Sequence, residues 1–82
     1  MTTTQVRPLY IIARDIRRSW KHVNYAAAPY LEAMFELDKV TDSYGCDSAD
    51  DIVRRFLSNA STFKGSEARF LKTELRALLK GN

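Results

Sequence analysis

Early in the chain the apolar residues Leu9, Ile12, Ile16, Trp20 and Val23 follow one another at steps of three or four. That spacing keeps all five on one side of a helix and predicts a first amphipathic helix starting near Pro8. Arg14, Arg17, Arg18 and Lys21 fall on the opposite side, so its outer face is cationic. If the helix already includes Tyr10, that ring sits beside Arg7, Arg14 and Arg17 and points outward; if the first turn is not helical, it folds inward. Asn24 either ends this helix or caps the next. Pro29 sets a second helix start, because proline lacks the amide donor that an interior position needs. Tyr30, Leu31, Met34, Phe35, Leu37 and Val40 then cover more than half of a helix circumference, which predicts a central helix touched on two sides. The small run Ala26-Ala27-Ala28 lets another backbone come close.

A third helix is expected from about Ala49 to Ala60, with Ile52, Val53, Phe56 and Ala60 inward and the pairs Asp50/Arg54 and Asp51/Arg55 in the favourable order. A fourth follows Gly65, with Ser66 as its N-cap and Glu67 complementing the helix dipole. Ala68, Leu71, Leu75 and Leu78 form its apolar seam; Arg69, Lys72, Arg76 and Lys80 lie opposite, and Gly81 closes it. No alternation is long enough for a sheet, and there is no internal repeat. The fold expected is all-α, a compact bundle of three or four short helices, with residues 1–6 a loose tail and 7–82 a single helical domain.

Between the second and third helices lies DSYGCDSADDI, residues 42–52, with the only cysteine of the chain. A calcium loop of the EF-hand kind needs acids at its first, third and fifth positions, but here the third is Tyr44 and the fifth Cys46. A zinc site wants about four ligands, and Cys46 and His22 are the only soft ones available. A thiolate at Cys46 near a helix start would be opposed by Asp42, Asp47, Asp50 and Asp51; a buried small apolar side chain is the expected role. The remaining reading is a joint. Gly45 reverses the chain, Asp47 or Ser48 caps the next helix, and Asp50 and Asp51 load its first turn. Tyr44 either covers the end of the second helix or is offered to a partner.

Composition narrows the class. With 82 residues there is room for one modest core, and 45% hydrophobic with 28% charged residues is ordinary for a globular domain. One cysteine forms no internal disulfide, no export signal is visible and no apolar run is long enough to cross a bilayer, so a cytoplasmic protein with no membrane association is expected. The net charge of +3 hides a zoned pattern: +4 over residues 1–23, −6 over 24–51 and +5 from 52 onward. Oppositely charged helices packed as neighbours account for it, and so does a binding role.

No phosphate loop, HExxH or GxSxG motif is present and there is a single histidine, so a protein without catalytic, metal or cofactor sites is expected. Two binding roles remain. One is a protein partner, anchored by Tyr10, Tyr44 and neighbouring arginines. The other is nucleic acid, held by Arg14, Arg17, Arg18 and Lys21 of the first helix and Arg69, Lys72, Arg76 and Lys80 of the last, against which the acidic middle counts.

The run IARDIRRSWKHVNYAAAPYLEAMFELDKVTDSYGCDSADDIVRRFLSNASTFKG resembles small proteins encoded by bacteriophages and actinobacterial prophages. The segments IARDIRRSW, APYLEAM and DSYGCDSADDIVRRFLSNA, leading into a glycine and a last basic helix, carry the likeness over most of the chain. It implies an accessory protein at work inside a host bacterial cell, where small phage proteins often bind host proteins. It assigns no activity to any position.

Overall fold

A computed structural model describes residues 7–80. The tail expected over 1–6 and the closing Gly81 lie outside the described residues. The elements in order are α1 (Leu9–Ser19), α2 (Ala28–Met34), β1 (Ser43–Tyr44), β2 (Asp47–Ser48), α3 (Ala49–Ser58) and α4 (Ser66–Lys80). Helices α2 and α3 pack most extensively on one another, α1 lies against both α4 and α2, and α3 meets α4 more lightly. The fold is therefore mostly helical, and the two-stranded antiparallel ribbon corrects the purely all-α expectation.

Helix α1 starts where the stripe predicts, but a distant segment completes it. The first amide donors of a helix have no partner within it. Here the Leu9 N–H donates to the Asp38 carbonyl at 2.8 Å and the Tyr10 N–H to the Leu37 carbonyl at 3.0 Å. Pro8 is the residue before the helix, with extended backbone, not its first helical residue. Leu9, Ile12, Ala13 and Ile16 are buried, and Trp20, just past the last turn, is too. Its indole stacks on Phe63 at 5.0 Å and meets Phe56 edge-on at 6.1 Å. Pairs of this kind contribute about 0.5–1.5 kcal/mol each beyond their burial.

Helix α2 is shorter than its apolar pattern predicts. Asn24 does cap its approach: its side-chain oxygen accepts the Ala26 N–H, and its carbonyl accepts from Ala27 and Ala28. After Met34 the chain tightens, with the N–H groups of Phe35, Glu36 and Leu37 reaching back three residues instead of four. The Asp42 carboxylate then takes the N–H groups of Asp38 and Lys39. Leu37 and Val40 remain buried without being helical, because the turn carries them back under α1.

Stretch 42–52 is a joint, built as a hairpin. Ser43 pairs with Ser48 and Tyr44 with Asp47, leaving Gly45 and Cys46 as the two-residue turn. Gly45 has a φ of 63°, and glycine at the first position of such a turn avoids the Cβ penalty. Ser48 precedes α3 but does not cap it through its side chain; its hydroxyl donates instead to Asp50 at 2.6 Å. Cys46 is exposed at the hairpin tip, contrary to the buried role expected of it, since both tip residues project away from the core. Ser66 likewise belongs to α4 itself, and Gly65, at φ 109°, forms the corner before it.

Candidate functional site

Tyr10 is helical and 43% exposed, so the outward alternative holds. Arg14, Arg17 and Arg18 are exposed on α1, and Lys21 is exposed just beyond it. They are not equivalent. Arg17 pairs with the Glu32 carboxylate and lies 5.1 Å over the Phe35 ring, tying α1 to α2. Arg7 does the same toward α4. Its Nε and Nη2 donate to Glu74 at 2.8 and 2.7 Å, and its Nη1 to Asp15 at 2.8 Å. These bonds, Glu74 first, raise the guanidinium pKa and hold it charged.

The Arg7 bridge fixes which side of α4 faces α1, and so where its cations lie. At about 100° per residue, Arg69 stands roughly 140° and Arg76 roughly 160° around the helix from Glu74. The basic faces of α1 and α4 therefore do not merge into one surface. Arg69, Lys72 and Arg76 turn instead toward the α3–α4 loop, where with Lys64, Phe63, Gly65 and Ala68 they line an open groove of about 330 Å³. Its lining contains four cations and no acid. Ion pairs among the described residues involve Arg7, Arg17 and Arg54, and none of these four. The Lys72 ammonium sits 5.8 Å over Phe63, and burial first, then Arg76 and Lys64, push its pKa down. Lys80 continues the same side one turn on, beyond the groove.

Tyr44 lies in a second groove, of about 190 Å³, between α2, the hairpin and α3. Ala33 and Ile52 are its buried residues, Tyr30 and Tyr44 its aromatic ones, and Asp47, Asp51 and Arg55 its charged ones. The expected Asp51/Arg55 ion pair does not form among the described residues; Arg55 turns to the Tyr30 phenol, which leads the causes raising its pKa, ahead of Asp51. Asp50 and Arg54 do pair, at 3.0 Å. Tyr10 is not part of either groove.

Lys64, Tyr30 and Arg55 are the groove residues that helix-face reasoning passes over. Lys64 sits in a loop, and Tyr30 and Arg55 read as core and as local ion-pair partner. Tyr25 and Phe70 are exposed aromatics outside both grooves. His22 and Cys46 are both exposed, and no three His, Cys, Asp or Glu side chains among the described residues converge as a metal set. No helix among the described residues is long and apolar enough to cross a membrane. Comparison with protein-family models, curated proteins and solved structures finds no match, so the chemistry of the two grooves follows from their own residues.

Proposed function

We propose that this chain is a small non-enzymatic accessory protein that binds a protein partner through the Tyr30–Tyr44 groove. The observation that carries the reading is the groove's make-up. An apolar floor of Ala33 and Ile52 is flanked by two tyrosines and rimmed by Asp47, Asp51 and Arg55. Aromatic anchors beside a charged rim are the usual anatomy of a protein-binding patch. Tyr44 is 40% exposed in the strand pair that closes the hairpin turn, where its backbone is fixed and its ring is accessible. The resemblance to phage and prophage proteins supports a bacterial host protein as that partner, met in the cytoplasm. Separation of the α1 and α4 cations counts against the alternative in which both helices grip one nucleic acid.

The test is site-specific photo-crosslinking in a nuclease-treated bacterial lysate, with the probe at Tyr44 or, as control, at Arg14. A discrete protein adduct from position 44 alone, lost on adding the surface substitution Arg55→Glu with the fold intact by circular dichroism, is the expected result. Adducts of equal yield from both positions would remove the proposal.

A further inference from the structure

Independently of the tyrosine groove, we infer that the corner between the α3–α4 loop and α4 binds the phosphate backbone of a nucleic-acid strand, through Lys64, Arg69, Lys72 and Arg76. Elsewhere on the described surface, Arg7 is answered by Glu74 and Asp15, Arg17 by Glu32 and Arg54 by Asp50. In this groove four converge and none is answered. Holding like charges together costs free energy that an anion would recover; the Lys72 pKa is depressed first by burial and then by Arg76 and Lys64.

The shape also suits the ligand. Gly65 and Ala68, at the start of the 15-residue helix, are both part of the groove lining, so the positive end of the helix dipole lies next to the four cations. Glu67, the acid of that first turn, lies roughly 160° around the helix from Arg69 and so does not occupy it. Arg69 and Arg76 are seven positions apart, about 10 Å along the axis. A row of that length runs past more than one phosphate of a strand, whose charges recur about every 3.4 Å of duplex axis as they wind around it. A lone carboxylate would use only part of this row.

The test is fluorescence anisotropy with a 20-base-pair DNA duplex and the full chain. With three to four phosphates contacted, affinity should fall about 40- to 150-fold between 50 and 200 mM salt. The triple variant Lys64→Gln, Arg69→Gln, Arg76→Gln should lose most of this binding and nearly all of the salt dependence. Lys72 is left in place because it covers Phe63, and the three altered residues are exposed, so the variant should melt like the parent. Arg14→Gln with Arg18→Gln should change affinity less than about threefold, the charges being on another face. Three outcomes would overturn the inference: a triple variant, folded by circular dichroism, that binds the duplex as the parent does; binding to a poly-glutamate peptide with none to the duplex; or binding of inorganic phosphate alone, with no duplex binding at 50 mM salt. If the triple variant melts early, the single variants Lys64→Gln and Arg76→Gln, each folded and each with an unchanged salt slope, would overturn it equally.

Discussion

On one flank of α4, Glu74 receives two hydrogen bonds from Arg7, which also reaches Asp15 and so joins α4 to α1. On the other flank, Arg69, Lys72 and Arg76 meet Lys64 and Phe63 with no carboxylate among them. Both flanks are rich in charge and both border the same apolar seam of Ala68, Leu71 and Leu75. The first spends its charges on holding the helix in place. The second leaves them free to act on something else. Charge counted along the sequence cannot separate the two, because α4 is basic as a whole and only the position of α1 makes one side internal.

The largest effect should come from removing what the flanks share. Leu75 is fully buried, and Leu75→Ala should cost about 2–5 kcal/mol, measured by urea denaturation. In so small a domain that is a large part of the total stability, and both flanks should fail together. Next, Arg7→Ala should cost about 1–2 kcal/mol, since its bidentate bonds are only partly shielded from water, yet leave duplex affinity within about threefold. Arg69→Gln should reverse that pattern. Its stability change should stay within about 0.5 kcal/mol, while the salt slope of duplex binding becomes shallower by about 1. A variant at Arg7 that loses binding while remaining folded, or one at Arg69 that unfolds, would erase the distinction.

Much of the fold was legible in the pattern of residues, and the losses have physical causes. The α1 stripe, the inward set of α3 and the seam of α4 are local periodicities, and the described residues keep Trp20 and Leu75 buried with Arg18 and Arg76 exposed. Helix α2 ends at Met34, short of its apolar pattern, because the spacing of Leu37 and Val40 is helical but their backbone is not. Their burial comes from a tight turn fastened by Asp42, and from α1 borrowing the carbonyls of Leu37 and Asp38, which are long-range bonds no window of sequence contains. The hairpin leaves no mark in the apolar pattern, because strands of two residues show no alternation. Among candidate residues, Tyr10 is exposed, the helical one of its two alternatives; Arg69, Lys72 and Arg76 line one groove, and Tyr44, whose place the sequence left open, lines the other. Arg17 proved committed to Glu32, and Lys64 entered the groove only through the loop that brings it there.

The smallest effect concerns the joint. The Asp42 carboxylate is held below its ordinary value of 3.8, first by the Lys39 N–H and then by that of Asp38. The folded chain therefore binds this proton less readily than the unfolded one. Its stabilising contribution is complete above the ordinary value and fades as pH falls through the lower folded one. Asp42→Asn should make the decline in melting temperature below about pH 4 slightly shallower, with no change in duplex affinity. A steeper acid decline in the variant would contradict the bonds assigned to Asp42.

The contrast between the two flanks is tested most directly by following backbone amide NMR signals while the DNA duplex is added at low salt. Shifts concentrated at Lys64, Gly65, Ser66, Arg69, Lys72 and Arg76, with Arg7, Asp15 and Glu74 nearly still, are the predicted result. Shifts centred on the Arg7–Glu74 seam or on α1, with the Lys64–Arg76 groove unmoved, would contradict it.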